Sequence, residues 1–162
     1  MALTAPQLAT LKAAILADGT LNAFPNNSDG NYDLANTGLK AVAAGPNNIC
    51  WKSAVQPAEY RNQIVWSEIA ALTAGNSRVW EYITGMNTLP INAADANIRS
   101  AISAAFTSGA PNTLTVLTAI AKRIMTKLES FFATGTGSTA SPATLVIEGG
   151  ISAADVAAVR NS

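Results

Sequence analysis

A chain of 162 residues has room for one domain with a substantial core and needs no disulfides to fold. It contains no His, one Cys, and ten Lys or Arg against ten Asp or Glu. That composition excludes the imidazole and thiol clusters behind most hydrolytic, redox and metal chemistry, and it leaves no net field to draw in nucleic acid, acidic substrates or an anionic membrane. Apolar residues make up 49% of the chain and many are Ala, so helices can pack closely while aromatic bulk is scarce. No apolar run reaches the roughly 18 to 20 residues of a membrane span, and the N-terminus lacks the basic start and apolar stretch of a signal peptide. The expectation is a protein that is cytoplasmic when made, with Cys50 as a small buried apolar side chain.

The elements follow in chain order. Thr4 before Pro6 predicts a helix start; Leu8, Leu11 and Ile15 recur at helical spacing, and Asp18-Gly19 ends the segment. After a polar loop around Pro25 to Asn27, a second helix is predicted from Asp29 to Val42, with Leu39 and Val42 facing the core, and Gly45-Pro46 closes it. Asn48 to Ala54 alternates Ile49, Trp51 and Ser53 on one side, which suits a short strand. Pro57 opens a third helix striped by Tyr60, Ile64, Ile69 and Leu72. Thr73 to Asn76 turns the chain into a fourth, which places Val79, Trp80 and Ile83 on one side and stops at Gly85. Asn92 and Asp95 have capping-box spacing for a fifth helix carrying Ile98, Ile102, Ala105 and Phe106.

The longest helix is predicted from Asn112 to Phe132, with Leu114, Leu117, Ile120, Ile124, Leu128 and Phe131 recurring every three or four residues. Thr134 to Ser141 (TGTGSTAS) reads as a flexible small-residue linker. Thr144 to Glu148 reads as a strand whose partner is Asn48 to Ala54 or a neighbouring subunit, and Ser152 with Asp155 caps a last short helix. The expected architecture is therefore mainly α: a single helical-bundle domain of about six helices over residues 1–133, a linker at 134–142, and a C-terminal strand and short helix at 143–162.

Motifs that carry chemistry are few, and each has a structural rival. Asn27, Asp29, Asn31 and Asp33 alternate oxygen ligands like the first half of a calcium loop, but Leu34 stands at the glycine position and Lys40 at that of the bidentate Glu, so helix capping is the better reading. Gly135, Gly137 and Ser138 suggest a phosphate loop, yet the following Lys is missing and the order runs helix, loop, strand. Lys122, Arg123 and Lys127 form the one basic cluster, with Arg123 and Lys127 sharing a face of the predicted long helix. Trp51, Trp66 and Trp80 read as bulk for a core or a subunit interface. Glu59, Glu68 and Glu81 show no paired spacing that predicts acid and base roles. No catalytic, cofactor-binding or metal-binding set is assigned.

The opening LTAPQLATLKAAI, the stretch RVWEYI, NIRSAI (Asn97 to Ile102), Leu128 to Phe132, and above all FATGTGSTASPATLVIEG (Phe132 to Gly149) give the chain a resemblance to small, uncharacterised proteins of tailed bacteriophages and prophages. Where many of that group read R-x-E-K-L-F-A, this chain has Lys127 to Phe132 (KLESFF), so no role passes to the charged residues there. The resemblance implies a non-enzymatic virion component made in the host cytoplasm: a head-to-tail connector or adaptor of the neck, assembling as a homo-oligomeric ring with portal, tail or neck proteins. A tail-completion or capsid decoration protein is the alternative, and a carboxylate-based enzyme a remote one. Zero net charge argues against specific nucleic-acid binding and suits a channel wall that DNA passes. In such a ring Leu145, Val146 and Ile147 are the expected intersubunit strand, delivered by the linker as a hinge.

Overall fold

The computed structural model describes residues 3–84 and 90–162. About 54% of the chain is helical, so the fold is mainly α as the sequence predicts, with ten helices among the described residues where about six were expected. Two compact units form: unit 1 comprises residues 1–50 and 124–162, and unit 2 residues 51–123. Their boundaries fall inside the stretch 1–133 that was expected to be one domain, and the C-terminal segment belongs to unit 1. The chain leaves unit 1 within strand β1 (Ile49–Trp51) and returns within β2 (Lys122–Ile124).

Unit 1 begins with α1 (Ala5–Ala17), entered through Thr4, whose N–H donates to the Gln7 side chain at 2.8 Å. Asp18 serves two helices. Its N–H closes α1 on the Ala14 carbonyl, and its carboxylate accepts from the N–H groups of Thr20 and Leu21 to open α2 (Gly19–Asn22). The predicted second helix starts at α3 (Ser28–Asp33) and continues as a π-helical turn, Leu34–Gly38, in which the Leu39 N–H reaches back five residues to Leu34. It stops short of Val42, which is 64% exposed and does not face the core. The main core of unit 1 gathers Leu11, Ile15, Leu21, Leu34 and Leu39 with Leu128, Val156 and Val159, so residues from both ends of the sequence share one apolar centre.

The long helix predicted from Asn112 to Phe132 does not form. It breaks into α8 (Pro111–Ile120), the extended residues of β2, and α9 (Lys127–Phe132). The cause is backbone pairing that helical periodicity cannot register. In unit 2 the Ala121 carbonyl accepts from the Lys52 N–H, and in unit 1 Met125 donates to Asn48 and accepts from Ala43. Thr126 then restarts the helix through a capping box with Glu129, whose carboxylate accepts the Thr126 N–H at 2.8 Å.

The presumed linker is also built into unit 1. β3 (Ala133–Thr134) pairs antiparallel with β4 (Thr144–Leu145), Ala133 opposite Leu145 and Thr134 opposite Thr144. The intervening loop is pinned from inside and outside. The Thr136 hydroxyl donates to the Ser141 carbonyl, Ser141 N–H to the Ser138 hydroxyl, and Ile49 N–H to the carbonyl of the buried Gly137. Gly137 has φ +68°, and a Cβ there would lie 2.7 Å from the Asn47 carbonyl oxygen, so only glycine fits. The strand at Thr144 therefore finds its partner within its own chain, at β3. Ala143, just before it, bridges Cys50 in parallel and donates to the Ile49 carbonyl, which brings in the 48–54 segment as well. A satellite core of Ala43, Cys50, Met125 and Ala143 fills this corner. Cys50 is buried, as expected of a small apolar side chain, while Ile49 and Trp51 on the other side of β1 are half-buried. α10 (Ala153–Asn161) closes the unit through the Ser152–Asp155 capping box read from sequence, and it packs on α1 and α3.

Unit 2 contains α4 (Pro57–Arg61), α5 (Trp66–Ala70), α6 (Ala74–Thr84), α7 (Ala96–Phe106) and α8. The predicted third helix is two, because the Val65 N–H between them turns to the Thr113 hydroxyl instead of a helical carbonyl. Glu68 on α5 supplies the cap that Ala110 cannot. Its carboxylate accepts from the N–H groups of Asn112 and Thr113, at 3.2 and 2.7 Å, in the first turn of α8. Asp95 caps α7, and Asn92 accepts from the Ala94 N–H one turn earlier, so the two residues act in sequence and not as one box. The core consists of Val55, Tyr60, Trp80, Ile91, Ile102, Phe106 and Leu117, with Trp80 meeting Phe106 edge to face at 6.4 Å. Gly85 and the side chain of Ile83 lie outside the described residues.

Candidate functional site

The three residues expected to form an intersubunit strand do not share one environment. Leu145 is half-buried in the β3–β4 pair, Val146 is 58% exposed, and Ile147 is 3% exposed. Glu129 holds the turn that follows: its carboxylate is 2% exposed and accepts the Gly149 N–H at 3.0 Å as well as that of Thr126. Of the expected strand, then, only Val146 is offered to solvent.

The polar motifs resolve mainly into structure. Asn27 caps α3 through the Gly30 N–H at 2.6 Å, and buried Asn31 accepts from Arg160 at 3.1 Å. Arg160 also donates to the carbonyls of Phe24 and Pro25, so the four oxygen-bearing residues of the calcium-like stretch do not converge on a common point. Among the described residues no group of His, Cys, Asp and Glu could hold a metal ion. Gly135 to Ser138 form the pinned loop already described, with no strand-to-helix turn behind them. Arg123 and Lys127 do not share a helix. Lys127 instead pairs with Asp18 at 2.8 Å, and that hydrogen bond, followed by the one from Leu21 N–H, holds the Asp18 carboxyl below its ordinary value. Lys52 lowers Glu59 in the same way across a 2.9 Å pair. At Glu68 burial pushes the pKa upward, but the hydrogen bonds from Thr113 and Asn112 prevail and lower it.

The tryptophans divide three ways. Trp80 is core, Trp66 is 65% exposed, and Trp51 forms one wall of a cleft of about 370 Å³ within unit 2. That volume lies at the small end of the roughly 300–1,000 Å³ seen for ligand pockets. Four elements build the cleft: β1 gives Trp51, α4 gives Tyr60, α7 gives Arg99 and Ile102, and α8 gives Leu114 and Leu117. The Arg99 guanidinium carbon sits 4.7 Å from the centroid of the Trp51 ring, and Lys122 Nζ lies 5.3 Å from it, both in cation–π range. Arg99 is fixed there by a 2.8 Å bond to the Ala93 carbonyl. Tyr60 is 1% exposed, and burial, reinforced by the neighbouring Glu59 charge, pushes its phenol up to about 12. Among the described residues its hydroxyl is the one buried side-chain polar atom without a hydrogen-bond partner.

Sequence reasoning placed Tyr60 on an apolar stripe and quoted Arg99 only inside NIRSAI. Nothing in the linear pattern brings these two to Trp51, since β1, α4 and α7 meet only once unit 2 has folded. Comparison of the chain with family models, curated proteins and solved structures finds no match.

Proposed function

We propose that the chain is a non-enzymatic structural component of a tailed-phage virion that assembles with copies of itself and with other virion proteins, in first place as a head-to-tail connector. The observation that carries this reading is the set of large apolar side chains left at the surface of a chain with zero net charge. In unit 1 the antiparallel bridge between Val42 and Thr126 turns Ala43 and Met125 inward, and it leaves Val42 (64% exposed) and Ile124 (51% exposed) on the outward face of the same short ribbon. Val146 is exposed as well, and in unit 2 so are Trp66 and Tyr82. Exposed apolar side chains on a neutral surface suit lasting protein contacts better than they suit a reaction centre. The resemblance carried by FATGTGSTASPATLVIEG supplies the virion context.

Contact through this surface fits better than exchange of the C-terminal strand. Withdrawing the tail would expose Ile147, Val156 and Val159, each costing about 1.5–3 kcal/mol. The sum is comparable with the whole stability of a small domain. The test is to mix the purified chain with its candidate portal protein, measure masses by light scattering and image any complex by electron microscopy. A ring seated on the portal is the expected result, and a chain that neither self-associates nor binds any neck or tail protein would overturn the reading.

A further inference from the structure

The cleft of unit 2 carries a definite chemistry of its own. One side is aliphatic, made by Ile102, Leu114 and Leu117, and among the described residues lining it there is no carboxylate. Arg99 is held in place by Trp51 and the Ala93 carbonyl, and the guanidinium makes no other hydrogen bond among the described residues, which leaves a preformed donor set at the cleft. Lys122, over the same indole, adds a second positive charge nearby. The indole already carries cations over its π system, so the remaining apolar wall favours an aliphatic chain over a stacked aromatic ring.

We infer that unit 2 binds a small aliphatic carboxylate in this cleft, its head group taken by the Arg99 guanidinium and its chain laid against Ile102, Leu114 and Leu117. This assignment stands independently of the virion reading. A ligand of about ten heavy atoms binds in the region of 1 mM at ordinary ligand efficiency, so millimolar titrations are the right range.

The probe is octanoate, titrated into the intact chain and followed by calorimetry and by the fluorescence of Trp51, with octan-1-ol as the uncharged control. Saturable octanoate binding is expected, at least tenfold tighter than octan-1-ol. Arg99→Gln should weaken it about tenfold or more. Ser100→Phe crowds the cleft from an exposed position on α7 and should also abolish binding, which keeps the test decisive if Arg99→Gln fails to fold. No saturation by tens of millimolar octanoate, equal binding of octan-1-ol, or unchanged affinity in folded Arg99→Gln or Ser100→Phe would overturn the inference. Because mass and portal binding are separate readouts, failure here leaves the assembly reading standing, and the converse holds.

Discussion

Replacing Glu129 by Ala removes one buried carboxylate that ties two distant turns together. Its oxygens accept the Thr126 N–H at 2.8 Å, which opens α9, and the Gly149 N–H at 3.0 Å, which fixes the turn before α10. Loss of the capping interaction costs about 0.5–2 kcal/mol. Gly149 is exposed, so its N–H can turn to water, and the lost bond there adds about 1 kcal/mol. The expected destabilisation is therefore about 2 kcal/mol, which for a chain of this length lowers the melting temperature by about 6 °C. Glu129→Gln keeps an acceptor for one of the two donors and should fall between the variant and the parent. Denaturant titration followed by circular dichroism reads both variants. A loss below about 1 kcal/mol for Glu129→Ala would refute the reasoning, because it would mean that the C-terminal segment is not fastened to unit 1 through this carboxylate.

Other perturbations test other joints of the structure. Gly137→Ala forces a side chain into a left-handed backbone against the Asn47 carbonyl and should cost at least about 2 kcal/mol in denaturant titration, whereas Gly19→Ala, where a Cβ meets nothing within 4 Å, should be neutral or slightly stabilising. Arg160→Ala removes the donors to Phe24, Pro25 and Asn31 and should cost about 2–3 kcal/mol by the same assay. The carboxyls of Asp18, Glu59, Glu68 and Asp155 are all lowered in the folded chain. Their contribution is therefore fully present above their unfolded values, near pH 4, and is lost as pH falls through the lower folded values. A thermal-melt series should accordingly show stability flat at neutral pH and dropping below about pH 4, with a shallower drop in Asp18→Asn.

What the sequence discloses well is what short segments decide for themselves. The starts at Thr4 and Ser152 are legible because a cap needs only residues three positions apart, and the helices at 96–106 and 153–161 follow from their own periodicity and caps. The break at 121–126 is hidden because the Leu114 to Phe131 pattern satisfies a helix throughout, and only pairing with Ala43, Asn48 and Lys52 makes extended backbone better. TGTGSTAS has the composition of a flexible linker, yet the approach of Gly137 to Asn47 and the bond from Ile49 turn it into a fixed loop. A net charge of zero says nothing about local detail. It conceals a cleft where Arg99 and Lys122 meet one indole, because that local imbalance is offset by acids elsewhere in the chain.

The surface that supports the assembly proposal can be challenged directly by sedimentation of the chain alone over a wide concentration range, beside Val42→Asp combined with Ile124→Asp. Both positions are exposed, so the double variant should keep its fold. The account expects the parent chain to sediment as an oligomer and the double variant to collapse to one chain's mass. A parent that stays monomeric throughout, or a double variant that assembles as well as the parent, would contradict it.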